Sequence, residues 1–199
     1  MSLRRLAEHQ PESFAFSTEN AAWCEAQMKK YPPGRQASAV IPILWRAQEQ
    51  EGWVTKPTIE VVGRMLGMPY VRVLEVATFY TMFNLHPVGE HLVQVCTTTP
   101  CWLRGSDAVV AACRKHIHHK QGAISADGKF SWVEMECLGA CVNAPMILIG
   151  KDPYEDLDGP KTEAIIAAIR RGETPKPGSQ IGRHSSEPEG GATTLKEVG

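Results

Sequence analysis

Four of the six cysteines of this chain stand in two tight pairs, and no other feature constrains the fold so strongly. Cys96 and Cys101 have four residues between them, and Cys137 and Cys141 have three. A stretch of 35 residues separates the two pairs. Two short loops can bring four thiolates together, so we expect either a [2Fe–2S] cluster or a tetrahedral zinc ion at this point.

The cysteine spacing favours the cluster. Disulfides are rare in reducing compartments, and the N-terminal sequence has no signal-peptide pattern. Four-cysteine zinc sites usually use pairs separated by two residues, which neither loop has. A plant-type ferredoxin would need a cysteine in place of Arg104, and a Rieske centre would need histidines close behind cysteines. We therefore predict a [2Fe–2S] site with two thiolates from each loop, and keep a zinc-braced scaffold as the alternative.

The residues around the pairs suit an anionic cluster, which needs hydrogen-bond donors. Hydroxyl donors in the first loop are Thr97, Thr98 and Thr99. Gly139 and Ala140 would let the backbone approach the second pair closely. Ser106 is predicted to cap a helix that begins just after Cys101, and the positive end of that helix would favour the cluster.

The two remaining cysteines, Cys24 and Cys113, lie in stretches with apolar periodicity. Free cysteine is among the most frequently buried residue types, so both are predicted to be core residues without a ligand role. His116, His118 and His119 are expected to be solvated at the end of a helix, where the helix dipole favours them.

The first part of the chain is predicted to be helical. Residues 1–16 are expected to form a flexible N-terminus, and residues 17–88 a helical domain. Capping and stop signals place helices at about 18–30, 38–51 and 55–67, with a fourth beginning near Pro69. The turn between the last two resembles a helix-turn-helix, but Arg72 is the only cation of its second helix, so we predict no nucleic-acid binding.

The period of the apolar residues then changes to that of strands. Strands are predicted at 91–98, 130–136 and 145–150, a short strand or turn at 154–157, and helices at 106–121 and 159–171. This β-α-β-β-(β)-α order predicts an α/β, thioredoxin-like domain over residues 89–172. Its first two strands should be parallel, which brings both cysteine pairs to one edge of the sheet. A cis peptide bond is expected before Pro145.

Residues 173–199 are rich in proline and glycine and poor in large apolar residues. We predict an extended, partner-binding tail, which as flexible coil would reach roughly 30 Å. The net charge of −1 gives no reason to expect a nucleic-acid or anionic-membrane partner. No apolar run approaches the roughly 20 residues of a transmembrane helix, so no direct membrane insertion is expected. No phosphate-binding glycine motif is present.

Three segments of the sequence resemble one protein family. They are 76–83 (VATFYTMF), the pair Cys96 and Cys101, and 137–145 (CLGACVNAP). They are similar to the thioredoxin-like [2Fe–2S] subunits of NADH:quinone oxidoreductase, respiratory complex I. The tail, with 182–188 (GRHSSEP), Gly190, Gly191, Thr194 and Leu195, is similar to the tail of these subunits. The resemblance covers about residues 15–195.

The resemblance implies one [2Fe–2S] cluster with Cys96, Cys101, Cys137 and Cys141 as ligands. It implies an electron-transfer subunit without turnover of its own, next to the flavoprotein subunit that binds FMN and NADH and to the large iron–sulfur subunit. A peripheral position on the cytoplasmic side of a bacterial inner membrane is expected, because no organelle-targeting segment is evident. The alternative from the same resemblance is the equivalent subunit of an NAD-linked hydrogenase or formate dehydrogenase.

Overall fold

The computed structural model describes residues 4–188, 190, 191 and 194. The chain divides into two compact units, Met1–Pro87 and Val88–Gly199. The first unit is helical, and the second is built on a mixed five-stranded sheet.

The helical unit has four helices. Their bounds are α1 Thr18–Met28, α2 Val40–Glu51, α3 Lys56–Leu66 and α4 Tyr70–Phe79, with a 3₁₀ turn at Gln36–Ala39. Ser17 and Thr55 cap α1 and α3 through their side-chain oxygens, as their residue types predict. Gly52 and Gly67 end α2 and α3 in the left-handed conformation that glycine adopts without a steric penalty.

The core of this unit contains Cys24, which is fully buried among aliphatic side chains. The prediction of a core role for Cys24 is therefore confirmed. The segment 4–16 has no helix or strand but is held against the helices. The Arg4 guanidinium donates to the carbonyl oxygens of Thr78, Tyr80 and Phe83, at the end of α4 and in the turn after it.

The second unit contains the predicted parallel pair and antiparallel hairpin. Its elements are β1 His91–Cys96, α5 Thr99–Leu103, α6 Ser106–His116, β2 Phe130–Met135, β3 Ile147–Ile149, β4 Asp152–Glu155, α7 Gly159–Arg170 and β5 Gly178–Ser179. The strand order is β2-β1-β3-β4-β5. Strands β1 and β2 are parallel, and β3 runs antiparallel to both of its neighbours, β1 and β4. The peptide bond between Ala144 and Pro145 is cis, as expected.

The core of the second unit lies between the sheet and the helices α6 and α7. Trp132 and Phe130 of β2 are its largest fully buried side chains. Cys113 of α6 is fully buried in the same cluster, which confirms the core role predicted for it. Burial raises the pKa of this thiol to about 12.

Two predictions about helices in this unit were wrong. Helix α6 ends at His116 rather than at Gln121. Beyond it the chain turns, with the Trp132 indole N–H donating to the carbonyl of His118 at 2.7 Å. The short helix α5, which contains Cys101, was not predicted, because Pro100 and the threonines before it were interpreted only as a loop.

Part of the predicted extended tail is ordered on the domain. Its residues Gly178 and Ser179 pair in parallel with Tyr154 and Glu155 of β4. The segment that follows makes further hydrogen bonds to the domain through Arg183 and the backbone of Ser185. The Arg183 side chain pairs with Asp156, directly after β4, so this part of the tail is fixed without large apolar residues. The tail residues 189, 192, 193 and 195–199 lie outside the described structure.

Within the described part of the chain, no helix is long and apolar enough to cross a membrane.

Candidate metal centre

The two cysteine loops leave the same edge of the sheet. Cys96 is the last residue of β1, and it stands opposite Met135, the last residue of β2. Cys137 follows two residues later. Parallel strands end on the same side, so both loops begin at this edge. Cys101 lies in α5, and Cys141 begins a 3₁₀ turn that runs to Asn143.

The two pairs have different surroundings. Cys96 and Cys101 are buried and form an apolar cluster with Ala144 and Met146, against which Leu138 and Ala140 pack. Cys137 and Cys141 are exposed, with their sulfur atoms 3.4 Å apart. All four are free thiols. The site therefore has an apolar side and a side that faces outward.

Hydrogen bonds converge on the sulfur of Cys96. Burial acts to raise the pKa of this thiol, but Thr98 and the Leu138 backbone lower it by more. The Thr98 hydroxyl lies 3.4 Å from the sulfur atom. Because Leu138 belongs to the second loop, its packing against the first pair joins the two loops directly. Hydrogen bonds to a thiolate stabilise the form that binds metal.

Neighbouring cysteines contribute to the pKa shifts of two other thiols, Cys101 and Cys141. Burial, with the neighbouring Cys96, raises the pKa of Cys101 to about 12. The pKa of Cys141 is raised, first by its hydrogen bond with Cys137. Cys96 adds a coulombic contribution to the shift of Cys141, so the two pairs are within electrostatic reach of each other. Several thiols this close can all ionise only when cations compensate their charge.

The donor set fits a [2Fe–2S] cluster. Each iron of such a cluster takes two of the four thiolates, so the ligands are needed in pairs. The structure has two pairs, Cys96 with Cys101 and Cys137 with Cys141, and Leu138 of the second loop packs against the first pair. The pairing of the thiols therefore suits the two metal positions of such a cluster.

One detail of the predicted surroundings was wrong. Ser106 does not cap α6: Gly105 holds the N-cap position, and Ser106 is the first helical residue, 1% exposed. Gly139 has a φ of +94°, a backbone conformation that favours glycine. No protein atom lies within 4 Å of the position that a Cβ would take there. Its role in the chain is thus the left-handed turn. Of the three threonines, Thr98 is the one whose hydroxyl bonds to a cysteine sulfur.

The surface beside the cysteine loops is apolar. Trp102 and Leu103 of α5 are 58% and 70% exposed, and Val142, directly after Cys141, is 64% exposed. Large apolar side chains grouped at the rim of a site are typical of protein–protein contacts. Sequence reasoning missed this surface, because Trp102 and Leu103 belong to the unpredicted helix.

Comparisons with known proteins agree on the family. The family model described as thioredoxin-like [2Fe-2S] ferredoxin matches residues 24–170. One of the E subunits of NADH-quinone oxidoreductase from Rhizobium meliloti, numbered 1, is 57% identical, over 98% of this chain and 73% of the relative. The E subunit of NADH-quinone oxidoreductase from Rickettsia bellii is 54% identical, over 79% of this chain and 95% of the relative.

One solved structure shows the same fold in a larger protein. An NAD⁺-reducing [NiFe]-hydrogenase, in its H₂-reduced state, superposes with a TM-score of 0.59 over 69% of this chain. The identity is 19%, and the match spans 23% of the hydrogenase chain. At this identity the likeness concerns the fold alone.

Proposed function

Because the chain belongs to the thioredoxin-like [2Fe-2S] ferredoxin family, we propose that it is the electron-transfer subunit of an NADH–quinone oxidoreductase. Relatives at 54–57% identity are named as the E subunit of that enzyme. The structural observation on which the proposal rests is the meeting of two thiol pairs at one edge of the sheet, where Leu138 of the second loop packs against the first pair.

We assign Cys96, Cys101, Cys137 and Cys141 as the ligands of one [2Fe–2S] cluster. When bound, such a cluster supplies the storage and transfer of a single electron. The chain's own residues supply the ligands and their surroundings. Thr98 and the Leu138 backbone lower the pKa of Cys96, and the apolar cluster around the first pair excludes water there. Donors to sulfur and limited solvent access are what tune such a centre.

The partners we propose are the flavoprotein subunit that binds FMN and NADH and the large iron–sulfur subunit. The apolar surface of Trp102, Leu103 and Val142 supports a partner at the cysteine loops, because it would be covered by another subunit. Electron transfer also requires the partner's redox centre to approach this edge of the sheet. We place the assembled subunit on the cytoplasmic side of a bacterial inner membrane, as a peripheral component.

The first experiment is a metal count on the full chain, purified anaerobically after iron-replete expression. We expect about two irons and two sulfides per chain. After dithionite reduction we expect an S = 1/2 EPR signal. One zinc ion per chain without iron would overturn the electron-carrier proposal in favour of a zinc-braced scaffold.

Two variants test the ligand assignment. Cys137→Ser removes one proposed ligand and should abolish the EPR signal and most of the iron. Cys113→Ser, at a fully buried cysteine of the same unit, is the matched control and should retain both. Retention of the cluster in Cys137→Ser, together with its loss in the control, would show that the assignment is wrong.

A further inference from the structure

The tail folds back onto the domain next to the second cysteine loop. We call residues 178–188 the strap. It begins at β5, where Gly178 and Ser179 pair with β4, and the Gln180 N–H donates to the carbonyl of Glu155 at 3.0 Å. Hydrogen bonds at three successive residues, 178–180, therefore fix the start of the strap against β4.

A buried ion pair anchors the middle of the strap. The side chains of Arg183 and Asp156 are 7% and 3% exposed and form a bidentate pair, with Nε lying 3.2 Å from Oδ2. The Ser179 hydroxyl donates to the same carboxylate at 2.7 Å and accepts from the Arg183 backbone N–H at 3.1 Å. A buried charge without its partner is strongly unfavourable, so the pair holds the strap in one position.

The strap also contacts the end of the second cysteine loop. The Arg183 guanidinium donates to the carbonyl of Val142, the residue after Cys141, at 3.4 Å. The Asn143 side-chain amide donates to the carbonyl of Ser185 at 2.7 Å. The Asn143 carbonyl in turn accepts from the backbone N–H of Asp156 at 2.7 Å. One guanidinium thus links the carboxylate of Asp156 to the backbone beside Cys141.

The strap contacts the end of the loop that carries Cys141. The start of the loop is held otherwise, because Leu138 and Ala140 pack against the buried first pair. Cys141 and Val142 are exposed, so this end depends on hydrogen bonds for its position. The strap supplies two of these bonds, to the Val142 carbonyl and from the Asn143 side chain, and residues at the end of β4 supply others.

We propose that the strap positions the second cysteine loop for ligation, and that Arg183 is the positioning residue. The inference rests on the proposed role of Cys137 and Cys141 as ligands. Outer residues that orient metal ligands commonly change metal affinity by about 10- to 100-fold when replaced. Because linkage is reciprocal, an occupied site should also protect the strap from opening.

The test uses the full chain with Arg183→Gln, Arg183→Lys and the control Arg171→Gln. Arg171 forms an exposed ion pair with Glu173, so the control makes the same change of charge away from the strap. Hydrogen exchange of the apoprotein is measured first. We expect faster exchange in 137–146 and 178–188 for Arg183→Gln, and no change for the control.

The protein with its cluster bound gives the second readout. For Arg183→Gln, we expect iron release to a chelator to be about tenfold faster than in wild type, with altered EPR g values of the reduced protein. Arg183→Lys keeps the charge and should restore part of the retention. Altered g values with partial rescue indicate positioning, because a merely structural role would leave the spectrum of the retained cluster unchanged.

A gentler variant covers the case in which Arg183→Gln does not fold. The Glu187 carboxylate accepts from the His184 backbone N–H at 2.7 Å, so Glu187→Ala loosens the strap without leaving a buried charge. Its exchange and iron release should rise by a smaller factor. Unchanged exchange at 137–146 and unchanged iron release in the variants that fold would overturn the inference. Absence of iron from the wild-type chain would overturn the ligand proposal instead, so the two failures are distinguishable.

Discussion

Leu138 packs against the buried cluster that contains Cys96, and its backbone lowers the pKa of the Cys96 thiol. The two residues are 42 positions apart (138 − 96) and belong to different cysteine loops. This contact makes the first loop sensitive to the position of the second. A change in either loop should therefore affect the whole site.

Removing the hydroxyl donor at Thr98 should lower the reduction potential of the bound cluster. The Thr98 hydroxyl contacts the Cys96 sulfur, and donors to sulfur stabilise the more negative, reduced state. Loss of about 1 kcal/mol corresponds to roughly 40 mV for one electron. We expect Thr98→Val to shift the midpoint downward by some tens of millivolts in an EPR-monitored titration.

Thr98 is a clean position for this test, because its side chain makes no capping hydrogen bond to α5. Thr97→Val is the matched control, one residue earlier in the same loop. An equal shift in both variants would show that the Thr98 hydroxyl is not the responsible donor.

Replacing Trp102 with glutamate should impair assembly with the partner subunit. Trp102 is 58% exposed, so Trp102→Glu should leave the thermal unfolding midpoint of the isolated chain within a few degrees of wild type. A buried aromatic at an interface commonly contributes about 2 kcal/mol, which is roughly thirtyfold in affinity. Co-purification with the proposed flavoprotein subunit, measured at several salt concentrations, checks the effect.

Ile124→Glu is the control for this variant. Ile124 is 40% exposed and bridges to Ser131 near the start of β2, whereas the cysteine loop follows the end of that strand. Assembly that is weakened by Ile124→Glu and not by Trp102→Glu would place the interface elsewhere.

The buried thiol of Cys113 should make the domain less stable in alkali. Its pKa is raised by burial from about 9 in the unfolded chain to about 12. The folded state therefore keeps a proton that the unfolded state loses. The stability from this group is complete below pH 9 and falls by about 1.4 kcal/mol per pH unit as the pH rises towards 12.

Cys113→Ala removes this titration. The variant should start at lower stability because of the cavity, yet its free energy of unfolding should decline less steeply above pH 9. Urea unfolding at pH 8, 9, 10 and 11 measures both quantities. Parallel pH profiles for the variant and wild type would contradict the prediction.

Gly89→Ala should disrupt the pairing that brings the cysteine loops together. A Cβ at Gly89 would lie 2.4 Å from the carbonyl carbon of Phe130, the first residue of β2. The backbone of Phe130 is held in strand β2 and cannot shift without disturbing it. We therefore expect a loss of about 3 kcal/mol or more in the free energy of unfolding. Poor iron retention should accompany it, because β1 and β2 carry the first and second loops.

Gly128→Ala separates this clash from the general cost of losing glycine. Gly128 has a φ of +73° and no atom within 4 Å of a Cβ, so its replacement should cost only about 1–2 kcal/mol for the left-handed conformation. Chemical denaturation of both variants gives the comparison. Equal losses would show that the contact with Phe130 is not decisive.

Much of the scaffold could be predicted from local patterns. Alternating apolar residues placed β1 and β2, and capping residues such as Thr55 placed the helix starts. The order of strand, helix and strand predicted the parallel pair, and with it the common edge for both cysteine pairs. These features depend on neighbouring residues and on general rules of chain connection, which a sequence displays directly.

The errors arose where a residue's partner is distant in the sequence. Ser106 looked like a cap, but the fold buries it and gives the N-cap position to Gly105. The attachment of the tail to its own domain could not be predicted either, since no local pattern reveals that Arg183 pairs with Asp156, 27 residues earlier. A polar segment is flexible or fixed according to the partners that the fold places beside it.

The sequence by itself determined the kind of site: four thiols in two loops, with spacing that favours an iron–sulfur cluster. Only the tertiary structure decided how each thiol is held. It buried Cys96 and Cys101, left Cys137 and Cys141 exposed, and packed Leu138 of the second loop against the first pair. The physical reason is that cysteine spacing is local, whereas burial and hydrogen bonding of a sulfur depend on chain segments that meet only in the folded domain.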